Sequence, residues 1–418
     1  MKVLLLNTSS RTGGAAVAAD RLRSSLIRNG IDTSMLVRDK SEGDDKYITV
    51  NNTWLRRKIN KFRFYFERII IFLFNKLNKA DLFRVSIANT GTDISKMEEV
   101  RNADIIHLHW INQGFLSLSD IRKLSALGKP IVWTMHDMWP CTGICHHARD
   151  CNKYHKKCNS CFYLSNKSGN DLSTKIFLNK AEIYKDADIT FVGCSKWLTG
   201  RAKESALLIN KNVLDIPNTV DQSIFKRKDK YESRRKFNLP LDKKLLLFGA
   251  LNITDTRKGV DYLLKALSLI HKDDLELVVF GNIKSEIKQL IPVPIHPMGY
   301  LTEETVIADL YNAVDLFVTS SLEENLPNTI MESMACGTPC VGFEIGGIPE
   351  MIDHKKNGYV AKYKSAEDLA EGIRWILDNP DREGISTACV DKVNSCYSED
   401  IVAQKYIALY ERLLAGKR

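Results

Sequence analysis

Short, uninterrupted runs of Leu, Ile and Val recur between amphipathic stretches, and this rhythm restricts the fold more than any other property of the chain. KVLLLN is followed by helical spacing from Gly14 to Arg28, then by IDTSMLV, ADIIHLHW, KPIVWTMHD and ADITFVGCS. Runs with so little polar alternation fit parallel strands, because a strand covered by helices on both faces has no side to spare for water. After VLDIPNTVD the rhythm restarts. KLLLFGA leads into a helix from Gly259 to about His271, LELVVFGN into one from about Glu303 to Ala313, and DLFVTS into one from about Pro327 to Cys336. The alternation predicts an α/β protein with two doubly wound sheets. The division falls near Pro217, giving domains at 1–216 and 217–398, with a terminal helix at 399–418 packing back on the first. The charged segment from Phe225 to Lys244 has no apolar periodicity and reads as a surface connection. No repeat of fixed period occurs, which excludes a solenoid.

Composition agrees and excludes several classes. With 418 residues, 44% hydrophobic and 27% charged, the chain is neither collagen-like nor a low-complexity scaffold. Sixty Lys and Arg against 51 Asp and Glu give +9, and the segment WLRRKINKFRFYFERIIIFLFNKLNK carries eight cations and one acid, so 8 − 1 = +7 of that excess sits in residues 54–79. Met1-Lys2 runs straight into the short apolar stretch Val3 to Leu6, so no secretory leader is expected and a cytoplasmic location follows. Ile69 to Phe74 is far too short to span a bilayer.

In sheets of this kind ligands bind beyond the carboxyl ends of the strands. Gly13 and Gly14 follow the first run and open a helix whose free amides suit a phosphate or a sugar hydroxyl, although such a pair also serves as plain turn chemistry. His136 ends IVWTMHD where a ligand would lie, and His107 and His109 share one strand face; each could equally be a structural histidine. The segment SSLEENLPNTIMESMACGTPCVGFEIGGIPEMI places Glu324 and Glu332 around a helix start, each able to grip a pair of hydroxyls, with helix amides between them suited to an anion. A solvated helix face is the ordinary alternative for two glutamates. Arg257 and Lys258 precede Gly259 and a helix, where the macrodipole disfavours cations; a bound diphosphate would remove that conflict.

Taken together, Glu324-x7-Glu332, Arg257-Lys258-Gly259, the Gly13-Gly14 loop and His136 resemble a family 4 glycosyltransferase of the GT-B fold, over nearly the whole chain. HDMWPCTGICHH and the cysteines after it are similar to bacterial capsule, O-antigen and colanic-acid-type transferases. The resemblance implies two Rossmann-like domains facing each other across a cleft, an acceptor-binding first domain and a nucleotide-sugar-binding second one. It further implies a UDP- or GDP-sugar donor, retention of configuration, a saccharide acceptor, free or lipid-linked, and chemistry that needs no metal. Residue by residue, Glu324 would hold donor-sugar hydroxyls with the amides near Asn325 and Leu326, Glu332 the ribose, and Arg257 and Lys258 the diphosphate. Gly14, beside Gly13, would admit the phosphate, His136 would touch the donor sugar, and Gly346, Gly347 and Glu350 would form the loop beside the nucleotide. One departure stands out: many members have Gly-Arg where this chain has Gly249-Ala250, so one expected cation is missing. A hydrolase or epimerase on the same fold is the nearest competing reading.

Two segments fall outside that scheme. Cys145, Cys151, Cys158 and Cys161, with His146, His147 and His155 among them, could close a structural zinc site or remain reduced thiols. Residues 54–79 mix cations with Trp54, Phe62, Phe64, Phe66, Ile69 and Phe72 and read as a helix lying on an anionic membrane surface, against the alternative of a core-packed helix with a basic face. A zinc-stabilised nucleic-acid binder could use both segments, but it leaves Glu324 and Glu332 without a purpose, so no nucleic-acid partner is expected.

Overall fold

The computed structural model describes residues 1–416 apart from 42, 80, 253–254, 271–272 and 284, and the backbone alone at 250–252 and 285. The chain forms two compact units, Met1–Pro217 with Val402–Arg418, and Asn218–Ile401. The first holds a sheet of β1 (Lys2–Ser9), β2 (Asp32–Asp39), β3 (Ile48–Thr49), β4 (Ile105–Leu108), β5 (Ile131–Met135), β6 (Ile189–Gly193) and β7 (Val213–Asp215). The second holds β8 (Lys244–Asn252), β9 (Leu275–Asn282), β10 (Ile295–Gly299), β11 (Leu316–Thr319), β12 (Cys340–Phe343) and β13 (Gly358–Ala361).

Both sheets are parallel throughout, in the orders β3-β2-β1-β4-β5-β6-β7 and β10-β9-β8-β11-β12-β13. Strand order reverses between β1 and β4 and again between β8 and β11, which opens a crevice beyond the strand ends at each switch. The two doubly wound sheets expected from the apolar runs are present.

Each face of a strand has its own cover. In β1, Leu4 and Leu6 join Ile106, Leu108 and Trp133 on one side. Val3 and Leu5 face the other, where Leu22 and Leu26 of the helix Gly14–Arg28 meet Val402, Tyr406 and Tyr410 of the helix Glu399–Ala415. Burying such side chains is worth about 1.5–3 kcal/mol each, so the terminal helix is part of the first unit's core. The second unit repeats the pattern with Leu246, Phe248, Leu277, Val279, Leu316 and Val318 on one face.

Several boundaries differ from the sequence expectation. The helix expected from Gly259 spans Val260–Ser268, with Gly259 as its left-handed cap at φ 60°, and His271 lies outside the described residues. Glu303 and Pro327 are likewise caps, the helices being Glu304–Ala313 and Asn328–Ala335. The basic helix is Trp54–Phe74, not the whole of 54–79: Thr53 caps its start, and Lys76 and Leu77 at positive φ break it after Asn75. No helix among the described residues is long and apolar enough to cross a membrane.

Candidate active site

At the switch point of the second sheet, the segments after β8 and β11 are stitched together by backbone. Leu322 N–H donates to the Arg257 carbonyl at 2.6 Å, and the Ser320 hydroxyl donates to the Lys258 carbonyl at 2.8 Å. The approach requires Gly259, since a Cβ there would stand 2.0 Å from the Ser320 carbonyl oxygen. The stitched backbone sets Lys258 Nζ at 2.5 Å from Glu324 Oε1, with side-chain exposures of 33% and 16%. Arg257 is held by Asp255, whose carboxylate accepts from Arg257 Nε at 2.9 Å, and this bond leads the causes that raise the guanidinium pKa.

Glu324 is clamped from behind. Gly347 N–H donates to the Asn325 carbonyl at 2.6 Å, and a Cβ on Gly346, at φ 59°, would meet the Glu324 carbonyl oxygen at 2.0 Å. Gly346→Ala is therefore expected to cost about 1–3 kcal/mol from the left-handed backbone alone, and to displace the Glu324 loop; an unchanged thermal melt would refute the clamp. Glu332, one turn into the helix Asn328–Ala335, is 7% exposed and accepts from the Tyr311 hydroxyl at 3.3 Å. Neither glutamate lies on a solvated helix face. Glu350 sits in the short helix Ile348–Met351, its N–H donating to the Gly347 carbonyl at 3.1 Å. Arg257, Lys258, Glu324, Asn325, Leu326, Glu332, Gly346, Gly347 and Glu350 thus all belong to the second unit.

Gly13, Gly14 and His136 belong to the first. Gly13 adopts φ 91° and caps the helix Gly14–Arg28, its carbonyl accepting from the Ala16 and Val17 amides. His136 follows β5, with Nε2 at 3.0 Å from His109 Nδ1. Behind them His107 is fully buried, bridging the Tyr410 hydroxyl and the Thr134 hydroxyl at 2.7 Å each. Burial pushes His136 down to about 4, although the Asp137 charge opposes it, and pushes His107 down to about 3, helped by His136. His109 falls well below its ordinary value for the same reason. All three imidazoles are neutral near pH 7, so His136 offers a hydrogen bond rather than a positive charge.

The loop after His136 braces itself. Asp137 pairs with His146 Nδ1 at 2.7 Å and accepts from Trp110 Nε1 at 2.9 Å; burial works to raise its pKa, but His146 and the Trp139 amide outweigh it and hold it at about 2. Lys180, fully buried, donates to the carbonyls of Trp139 and Thr142 at 2.6 and 3.0 Å, and desolvation brings it down to about 7.

The zinc expectation is not met in this arrangement. Among the described residues no three His, Cys, Asp or Glu side chains form a group able to hold a metal ion. Cys145 is tied by a backbone bridge to Val85, Cys158 Sγ accepts from the Gly143 amide at 3.2 Å, and Cys145, Cys151, Cys158 and Cys161 lie near enough for their charges to interact. All ten cysteines are free of disulfides, and burial raises Cys158 to about 11 and Cys161 to about 12.

Sequence reasoning did not find Asp255, Ser320, Tyr311, Tyr410 or the Asp137–His146 pair as supports. Asp255 had a local signal, standing two residues before Arg257; the others are joined by the fold alone.

Comparison with known proteins bears on the whole chain. Residues 12–184 match the family model described as Glycosyltransferase Family 4, and residues 242–379 the model described as Glycosyl transferases group 1. N-acetyl-alpha-D-glucosaminyl L-malate synthase from Bacillus anthracis is 22% identical over 49% of this chain and 55% of that protein. N,N'-diacetylbacillosaminyl-diphospho-undecaprenol alpha-1,3-N-acetylgalactosaminyltransferase from Campylobacter jejuni is 31% identical over 42% of this chain and 47% of that protein. The chain thus spans about half the length of these curated relatives. Among solved structures, sucrose-phosphate synthase from Thermosynechococcus elongatus superposes with a TM-score of 0.68 at 17% identity, covering 100% of both chains. Anabaena HepE in complex with UDP and glucose also gives 0.68, at 15% identity over 99% of this chain and 100% of that one. With its two parallel doubly wound sheets and both family models matched, this chain belongs to the family 4 glycosyltransferases of the GT-B fold.

Proposed function

We propose that the chain transfers a sugar from a UDP- or GDP-sugar, with retention of configuration, to a lipid-linked saccharide in the assembly of a bacterial surface polysaccharide. The observation that carries this reading is the Lys258–Glu324 pair at the carboxyl ends of β8 and β11: one cation and one carboxylate, both half-withdrawn from water. A sugar joined to a diphosphate needs that combination, because its hydroxyls seek a carboxylate while its phosphates seek a cation. The relatives support it coarsely. HepE is solved with UDP and glucose, and the Campylobacter transferase is named for a diphospho-undecaprenol substrate.

In this reading, Arg257 and Lys258 hold the diphosphate and Glu324 holds donor-sugar hydroxyls with the Asn325 and Leu326 amides. Glu332 grips the ribose, Gly346, Gly347 and Glu350 shape the loop beside the nucleotide, Gly13 and Gly14 admit phosphate, and neutral His136 donates to or accepts from the sugar. Cleavage of the sugar–phosphate bond leaves positive charge on the ring and adds negative charge to the departing diphosphate. Lys258 and Arg257 therefore stabilise the transition state more than the ground state. The departing phosphate, growing more basic, takes the acceptor's proton on the face it leaves, which preserves configuration.

A thermal-shift screen of UDP- and GDP-sugars should raise the melting temperature for one of them. Glu324→Ala should abolish transfer while UDP or GDP still binds; normal transfer by that variant would sink the assignment. Free sugar released at the same rate with and without acceptor would identify a hydrolase instead.

A further inference from the structure

The helix Trp54–Phe74 is built the wrong way round for a core helix. Its inward face is Asn60, Glu67, Arg68 and Ile71. Glu67, the helix's one acid, is fully buried, pairing with Arg68 at 2.8 Å and accepting the Ile87 and Ala88 amides at 2.8 and 2.9 Å. On the opposite side Leu55, Ile59, Phe62, Phe66, Ile69 and Leu73 recur at alternating steps of four and three, forming one exposed apolar stripe. Phe62 is 63% exposed and Leu73 58%. Beyond the helix, Leu77 and Phe83 are exposed apolar side chains as well.

The rim of that stripe is cationic. Arg56, Arg57, Lys58 and Lys61 are all exposed, and Lys76 and Lys79 follow the helix. Since the only acid points inward and is neutralised there, nothing on the helix's outer surface offsets them. Beside them runs a groove of about 700 Å³ lined by Arg38, Lys40, Arg57 and Lys61, with Asp39 as its acid.

We propose that this face docks flat on an anionic lipid surface, the apolar stripe entering the headgroup boundary while the cations meet lipid phosphates. Charge decides between the occupants. A second copy of the chain would bring two cationic rims against each other, whereas an acidic leaflet complements both the stripe and its rim. The internal Glu67–Arg68 bonds hold the helix rigidly against the protein, so the stripe is presented as a plane rather than unfolding to bind.

The test needs neither donor nor acceptor, so its outcome is separate from that of the transfer assay. Full-length protein is sedimented with phosphatidylcholine vesicles with and without phosphatidylglycerol. Binding to the anionic vesicles should be at least about tenfold stronger, and weaken with salt. Phe62→Ser combined with Phe66→Ser should reduce it by about tenfold or more with an unchanged melt, these side chains being exposed. Replacing Arg56, Arg57, Lys58 and Lys61 by Gln should abolish the anionic preference. Equal binding to both vesicle types, or to neither, overturns the proposal. So does a concentration-dependent dimer that Phe62→Ser dissolves and that vesicles fail to displace.

Discussion

Lys258→Ala should lower kcat by about a hundredfold to a thousandfold, equivalent to about 2.7–4 kcal/mol of lost transition-state stabilisation, while the KM for the donor changes far less. The asymmetry follows from when the charge is needed. In the intact diphosphate the negative charge is shared and partly solvated, and Arg257 supplies part of the compensation; during bond cleavage it grows next to the ammonium. The resting pair adds a second consequence. Removing Lys258 leaves the Glu324 carboxylate, 16% exposed, without its partner at 2.5 Å, facing an incoming polyanion. Adding Glu324→Gln to Lys258→Ala should therefore recover donor affinity without recovering turnover, a non-additivity expected of directly interacting groups. Lys258→Arg, which restores charge with a different shape, should recover a part of the rate. Steady-state kinetics on the three variants checks this, and unchanged turnover in Lys258→Ala would remove Lys258 from the chemistry.

Mild acid should destabilise the first unit steeply. In the unfolded chain histidine binds a proton near 6.5, whereas His136 resists until about 4 and His107 until about 3. Above pH 7 neither state is protonated and these groups contribute nothing. As pH falls below 6.5 the unfolded state takes up protons that the native state refuses, and each such histidine costs about 1.4 kcal/mol per pH unit. By pH 4.5 this reaches about 2–3 kcal/mol for each of His136 and His107. Asp137 works in the other direction. Held at about 2, it keeps its stabilising pairing through this range and loses it only in stronger acid. Urea melts at pH 7.5 and 4.5 should show the loss, and His107→Gln should show less of it. Equal stability at the two pH values would mean that the histidines are not held neutral by burial.

Most strands that run through the core were legible because being covered on both faces demands continuous Leu, Ile and Val; β12, the four residues CVGF, was not singled out. Strand β10, half-buried at the sheet edge with the sequence IHPMG, carries no such demand and gave no signal; β3, with two residues, is too short to give one. Glu324 and Glu332 could be singled out because their spacing lies within one segment. The partnership of Glu324 with Lys258, 66 residues away, and of His107 with Tyr410, 303 residues away, exists only after folding. The orientation of the basic helix was partly hidden for a different reason. Apolar periodicity finds a stripe but not which way it faces, and here three hydrogen-bonded polar side chains, Asn60, Glu67 and Arg68, made the inward face satisfactory.

The return of residues 402–418 to the first unit also sets an order of events on the ribosome. The amino-terminal sheet is synthesised early but lacks Tyr406 and Tyr410, and with them the hydroxyls that hold Thr134 and His107. The second unit, contiguous in sequence, can close as soon as it emerges, while the first must wait for residues 402–418, which follow it. A nascent chain stalled before Val402 would thus carry a sheet face of Val3, Leu5, Val132 and Val192 covered only in part, by Leu22 and Leu26, an apolar surface for chaperones to shield until residues 402–418 emerge.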